Sequence, residues 1–255
     1  MAPLVVFGGG LLALAVARAA AARGQAVTVA SPSPRVVSGW WRQFPAAGDT
    51  LAWVPGGADV VVAVGPSRAV PLDRAWGEGL TALLSRLDRA GRVTLAGPLP
   101  GREPSIEVFD RALARWGGPC LRVAPVLGQG DTSVGQWVTT LRSGGVVRVG
   151  EAPAVRWLAA DDAARVVLGD LPPGEHLATG CELWTPGEVA ERLSSRFGGR
   201  RARPLLGVGL PRDAKARLVA WAGHPDQWDE ARWGPRTSLA SWIERLPGPR
   251  RRAAG

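Results

Sequence analysis

Apolar residues along this chain fall into short continuous runs, separated by Ala/Leu-rich stretches that end at glycine. Pro3-Leu4-Val5-Val6-Phe7 stops at Gly8-Gly9-Gly10, and Leu11 to Arg23 follows as a helical stretch ended by Gly24. Ala26 to Ala30 is a second apolar run, closed by Ser31-Pro32-Ser33-Pro34. The runs do not alternate with polar residues, as expected of parallel strands buried on both faces. The first thirty residues therefore predict strand, glycine turn, helix, strand, the opening βαβ unit of an α/β doubly wound, Rossmann-like sheet.

The pattern recurs. Strands are predicted at 58–64, 92–96 and 120–126, with helices at 72–90 and 105–116. Residues 35–57 show little periodicity and read as irregular, with one helix and a short strand near 51–54. Beyond residue 132 the style changes, with helices at 133–142, 161–168, 211–222 and 237–246 and short strands at 146–149, 157–159 and 176–179. Another helix begins at Thr185-Pro186-Gly187-Glu188, where Thr185 is the N-cap, Pro186 the first helical residue and Glu188 the reciprocal capping partner. The expected organisation is a dinucleotide-binding core over 1–130 and a smaller, mostly helical substrate lobe over 131–246, interleaved with the core through 145–180. A disordered basic tail is expected at 247–255.

Composition narrows the chemistry. The chain has 255 residues, 46% of them hydrophobic, which suffices for a buried core. Its two cysteines, Cys120 and Cys181, exclude a disulfide scaffold and are expected as reduced, buried thiols of a cytoplasmic protein. No stretch has the length and composition of a membrane span, and neither His176 nor His224 stands in metal-ligand spacing, so no metal is expected. The net charge of +9 is uneven: residues 1–191 carry 17 basic and 17 acidic residues, and 192–255 carry 14 basic and five acidic. A solvated basic face and tail explains this better than nucleic-acid binding, because no reading module accompanies it. The chain has no tyrosine and one lysine, Lys215, so a mechanism needing a tyrosine acid is excluded.

The turn Gly8-Gly9-Gly10-Leu11-Leu12-Ala13 fits G-x-G-x-x-G/A, with alanine in the third place. Gly8 permits the turn out of the strand, Gly10 lets a pyrophosphate approach the backbone, and Ala13 is small enough for helix and strand to pack. The helix start at Leu11 and Leu12 then offers amides to the phosphates. An NAD site usually places an acidic residue at the end of the second strand. Here Ser31, Ser33 and Arg35 stand there, with no acid before Asp49, which favours the 2′-phosphate of NADP over NAD. By the switch-point rule, the strand ends Gly65-Pro66 and Ala96-Gly97 also face the cofactor. Asp161-Asp162 reads as a helix cap.

Three segments add a family resemblance. Leu121 to Asp131 reads Leu-Arg-Val-Ala-Pro-Val-Leu-Gly-Gln-Gly-Asp, Ala160 to Arg165 reads Ala-Asp-Asp-Ala-Ala-Arg, and Thr185 to Leu193 opens the capped helix. With the N-terminal turn, this order resembles the extended and atypical short-chain dehydrogenase/reductases, closest to the epimerase-like and nitrogen-metabolite-repressor-like NAD(P)-binding proteins. The first segment is similar to the family's L-R-P-G-x-x-Y-G-P-G-D, with Val123, Ala124 and Leu127 replacing Pro, Gly and Tyr. The second is similar to its V-D-D-x-A-R. The resemblance implies an NAD(P) cofactor. It also implies a Tyr-x-x-x-Lys pair, which the helix from Ser105 lacks, and a serine where Ala96-Gly97-Pro98 stands.

Tyrosinate acid/base chemistry therefore cannot run here, although some atypical members without the tyrosine still act as NADPH reductases. Glu103, Glu107 and Asp110 lie near the missing pair and are the candidate proton donors. Pro125, Trp137 and Trp184 are candidates for a substrate pocket. The readings that follow are an NADPH-dependent reductase of a small conjugated acceptor, a catalytically silent NAD(P)-sensing regulator or scaffold, and an epimerase-like protein with a degenerate site. The expected partner is a small molecule, flat or anionic, and a homodimer stays open.

Overall fold

The computed structural model describes residues 1–8, 10–31, 41–43, 56–63, 84, 87, 90–98, 104–123, 126–128, 133–149, 153–197, 203–204 and 236–248. In chain order the elements begin β1 (Leu4–Phe7), α1 (Leu11–Ala22), β2 (Val27–Ser31), β3 (Trp41–Gln43), β4 (Asp59–Ala63) and β5 (Val93–Pro98). They continue α2 (Pro104–Trp116), β6 (Pro119–Val123), β7 (Val126–Leu127), α3 (Ser133–Arg142), β8 (Arg148–Val149), β9 (Val155–Arg156), β10 (Leu158–Ala159) and α4 (Ala160–Val167). The last are β11 (Gly174–Ala178), β12 (Leu183–Trp184), α5 (Pro186–Phe197), β13 (Arg203–Pro204) and α6 (Leu239–Glu244). No helix among the described residues is long and apolar enough to cross a membrane.

The chain forms two compact units. The first comprises Met1–Val123 and Ala160–Ala178, the second Ala124–Ala159 and Thr179–Gly255. In the first unit seven parallel strands lie in the order β3-β2-β1-β4-β5-β6-β11. Successive strand residues point to opposite faces, and both faces are apolar. On one face Val5, Phe7, Val60, Val62, Leu95 and Cys120 pack with Phe109 and Ala112 of α2. On the other, α1 and α4 pack on each other and on the sheet, over buried Leu4, Val6, Val29 and Val61. Small residues permit that close packing: α1 buries Ala13, Ala17 and Ala20, and α4 buries Ala163 and Ala164. Each Val, Leu or Phe buried this way contributes roughly 1.5–3 kcal/mol, offset by conformational entropy. The doubly wound parallel sheet expected from the apolar runs is the observed architecture.

In the second unit, α3, α5 and α6 bury Val134, Val138, Leu141, Val189, Leu193, Phe197, Trp242 and Ile243 together. Three two-stranded pairings, β7 with β10, β9 with β12 and β8 with β13, complete it among the described residues. The cap expected at Thr185 is present. The Thr185 backbone N–H and hydroxyl donate to Glu188 Oε2 at 2.7 and 2.8 Å, and the Glu188 N–H donates back to Thr185 Oγ1 at 3.2 Å. The Thr185 N–H, then its hydroxyl, hold the Glu188 carboxyl below its ordinary pKa. Ser238 caps α6 by accepting from the Ser241 N–H at 3.1 Å.

Three expectations change. The strand expected over 120–126 is two elements: β6 ends at Val123, and β7 pairs in a separate ladder with β10. The sequence between them includes Pro125, and a proline has no N–H to continue a ladder. The stretch read as irregular contains β3, a three-residue edge strand whose Arg42 and Gln43 give no apolar run. Cys181 is exposed, not buried, in the bend that follows β11, whereas Cys120 lies in the sheet core. Burial pushes the Cys120 thiol up to about 12, against the opposing pull of Arg122, so it stays protonated and inert. The helix expected at 211–222 and the strand near 51–54 lie outside the described residues, as does most of the helix at 72–90 and of the tail.

Gly97 illustrates how tightly the α2 face is packed. A Cβ there would enter the Phe109 ring, itself 1% exposed. Replacement Gly97→Ala is expected to destabilise the protein by about 1–3 kcal/mol through overpacking, a fall of several degrees in Tm. An unchanged melting temperature would contradict this packing.

Candidate functional site

The strand order reverses at β1, with β2 on one side and β4 on the other. In open α/β sheets, ligands bind outside the carboxyl ends of the strands at such a switch point. Gly8 leaves β1 there with φ +146°, a conformation that side chains rarely adopt, and its N–H continues the ladder to the Ala30 carbonyl at 2.8 Å. A Cβ on Gly8 would run into the Ala63 carbonyl at the end of β4 and lie 3.3 Å from the Ala13 Cβ. The first and third positions of the glycine motif are thus fixed by packing among β1, β4 and α1.

Gly10 is different. It is the N-cap of α1 with φ −95° and ψ −177°, extended backbone open to any residue, and a Cβ there would meet nothing within 4 Å. The fold does not need glycine at this position, whereas a ligand approaching the backbone does. The Leu14 N–H bonds back to the Gly10 carbonyl at 3.2 Å. The amides of Leu11, Leu12 and Ala13 precede it and have no carbonyl within the helix to bond. No acidic side chain lies in this first turn, and the N-cap residue makes no side-chain hydrogen bond to it, so among the described residues the positive end of the helix has no local counter-charge. Leu12 is buried beneath the turn, and Leu11 is half-buried.

Of the other residues assigned to the cofactor, Ser31 ends β2 at the same sheet edge. Ala96 is fully buried in β5, and Gly97 lies under Phe109. Ser33, Arg35, Gly65 and Pro66 lie outside the described residues, as do Glu103 among the acids and Pro125 among the pocket residues.

The acidic candidates divide. Glu107 is exposed in the first turn of α2. Asp110 sits six residues into that helix, about 9 Å along its axis from the start. Its Oδ1 lies 2.6 Å from Nη1 of Arg122, which is 4% exposed in β6. Glu175 of β11 holds the same guanidinium through Oε1 and Nε at 3.2 Å, and the Phe109 ring lies 5.0 Å from it. A cavity of about 250 Å³ opens beside this triad. Its walls include Gly118, next to the amino end of β6, and Gly174, the first residue of β11, the sheet edge opposite the glycine turn. The structure therefore does not bring Asp110 together with Gly8 and Gly10. Arg122 itself escaped the sequence reading, although a charge inside the apolar run Leu121-Arg122-Val123 was the signal for it.

The two tryptophans belong to the second unit. Trp137 of α3 packs half-buried against its core. Trp184 donates its Nε1–H to Glu182 at 2.9 Å, lies under Arg192 at 4.2 Å, and accepts from Trp157 Nε1 through its carbonyl at 2.9 Å. Asp162, 4% exposed in the first turn of α4, lies 3.8 Å from Arg165. His176 is in β11 as expected, with Nε2 3.0 Å from the Pro172 carbonyl.

Removing a partner from a buried cation is costly, but Asp110 is partly exposed and Glu175 would keep its hold on Arg122. Asp110→Asn is expected to lower stability by about 1–2 kcal/mol, read in a urea titration, whereas the exposed Glu107→Gln changes it by less than about 0.5 kcal/mol. Equal effects of the two would contradict the ion-pair geometry.

No protein-family model matches the sequence, and no curated protein matches it. Solved structures do match the fold. UDP-N-acetylglucosamine 4-epimerase from Bacillus cereus superposes with a TM-score of 0.66 at 14% identity, over 95% of this chain and 97% of that one. UDP-glucose 4-epimerase of Thermus thermophilus, solved as a complex with NAD, gives 0.64 at 16% identity, over 94% and 98%. The triphenylmethane reductase of a Citrobacter species, complexed with NADP(H), gives 0.63 at 14% identity, over 95% and 99%. The chain has the fold of these epimerases and of this reductase, as the resemblance to extended and atypical short-chain dehydrogenase/reductases implies.

Proposed function

We propose that this protein binds NADP(H) across the glycine turn and reduces a small conjugated acceptor in the cytoplasm. The observation that carries this reading is Gly10. Its open face lies above an uncharged helix start, at the switch point of the sheet, where a pyrophosphate can reach the amides of Leu11 and Leu12. Gly8, Ala13 and Ala63 hold that turn against the sheet. The nucleotide, once bound, supplies a hydride, a proton carried with two electrons, to an electron-poor carbon.

Ser31 in place of an acid supports NADP over NAD, because a carboxylate there would repel a 2′-phosphate. With no tyrosine in the chain, the residues position and shield the reactants, and the acceptor must be one that takes hydride without a tyrosine proton. The fold likeness to an NADP(H)-complexed reductase supports the same reading. The missing tyrosine equally supports a second one, a nucleotide-sensing regulator that binds NADP without turnover.

NADPH consumption with a panel of quinones, enones and imines separates the two. Turnover supports the reductase, and tight binding with no turnover supports the regulator. Gly10→Val is expected to keep the unliganded Tm within about 2 °C of wild type while abolishing the thermal shift given by NADP. Gly8→Ala is expected to lower the unliganded Tm itself, by roughly 5 °C or more. A full nucleotide shift retained by Gly10→Val would overturn the proposed site.

A further inference from the structure

We propose that the cavity beside Arg122 is a ligand site in its own right, taking a small organic cation, an ammonium on a short apolar stem. Its described walls all belong to the first unit, and the proposal does not depend on nucleotide binding. Glu175 pairs with Cys120 and Leu177 with Arg122 in the β6–β11 ladder. Cys120 packs against Phe109 and Ala112 of α2, and residues of one parity share a face, so Arg122 and Glu175 also look toward α2. From the helix, Asp110, Leu113, Ala114 and the following Gly117 line the same space, at the spacing of one helical stripe. The enclosed volume is about 250 Å³, just below the roughly 300 Å³ at which pockets for drug-sized ligands begin, so the ligand is one of a few heavy atoms.

The sign of the charge follows from the walls. Among the described residues, two carboxylates meet one guanidinium, which leaves one negative charge in surplus. The carboxylates are also the accessible members: the Asp110 side chain is 32% exposed and that of Glu175 48%, against 4% for Arg122. Leu113 and Ala114 belong to the last turn of α2, the end where helix carbonyls lack partners and the dipole is negative. Arg115 in that turn is exposed, and Arg122 is the basic side chain on the described wall. The Leu113 and Ala114 side chains offer apolar surface to a stem. A buried ion triad is seldom needed for stability, since apolar side chains of similar volume serve as well, so a surplus carboxylate at a cavity fits recognition better than packing.

The test uses three probes of equal chain length, n-butylammonium, n-butanol and butyrate. They are titrated into the full chain with saturation-transfer NMR, with melting temperature as the folding control. Butylammonium is expected to bind about fivefold or more tightly than butanol, and butyrate more weakly than either. Ala114→Phe, at an exposed helix position that lines the cavity, fills the space without touching the triad. It is expected to keep Tm within about 2 °C of wild type and to weaken butylammonium about tenfold or more. Asp110→Asn is expected to weaken butylammonium about fivefold or more, and Glu107→Gln, the same loss of charge outside the cavity, by less than about twofold. If Ala114→Phe fails to fold, this last pair decides. Equal binding of butylammonium and butanol, or tighter binding of butyrate, overturns the proposal. So does undiminished butylammonium binding in folded Ala114→Phe, or equal effects of Asp110→Asn and Glu107→Gln.

Discussion

A parallel strand can satisfy its backbone only by pairing along both edges, and it can leave water only if its two faces are covered. That constraint organises the first unit. It requires apolar residues at both parities of each strand, as in Leu4-Val5-Val6-Phe7 and in Val60-Val61-Val62, and it requires helices on both sides. The return of each helix to the amino end of the next strand then collects every βα turn at one edge. The glycine turn, Ser31 and Gln43 share that edge because the sheet is parallel.

The constraint also explains what could be read from the sequence. Strands β1, β2, β4 and β5 are continuous apolar runs with a distinct composition, and α1 and α3 have clear stops. The capping pair Thr185 and Glu188 works through local hydrogen bonds, so its spacing is visible in the sequence. What escaped depends on partners distant along the chain. β3 has only three residues with no apolar pattern, and only its pairing with β2 makes it a strand. Arg122 is buried because Asp110 from α2 and Glu175 from β11 both reach it, and no window around residue 122 contains either acid. The break between Val123 and Val126 depends on β10, more than thirty residues away, to pair the second half.

Asp110 shows how a shared neighbourhood in sequence can mislead. It lies in the helix where a short-chain dehydrogenase would carry its catalytic pair, and a carboxyl group in that helix is a reasonable proton donor. A helix has a direction as well as a place, however. α2 starts near the carboxyl edge of the sheet and runs back to the amino end of β6, so each turn carries a residue about 5.4 Å further from that carboxyl edge. By Asp110 the carboxylate is close enough to Arg122 to neutralise it. Together with Glu175 it keeps that buried cation paired beside Cys120 and Phe109. The ion pair ties α2, β6 and β11 together, and an acid engaged there does not need a catalytic role to explain its place.

Three glycines of the first unit separate structural from ligand-driven selection. Gly97 is glycine because Phe109 occupies the space above it, and Gly8 because its φ is positive and a Cβ would run into the Ala63 carbonyl. Both requirements exist in the empty protein, so neither residue is informative about a ligand. Gly10 has an ordinary extended backbone and open space, so folding alone would allow alanine, serine or aspartate there, and serine or aspartate would cap the helix better. Forgoing that cap costs roughly a few tenths of a kcal/mol in exchange for nothing the fold uses. A position that stays bare against its own folding preference, at the positive end of a helix and at the switch point of the sheet, is explained by something that must approach the backbone. A dinucleotide pyrophosphate has the charge and the place for it.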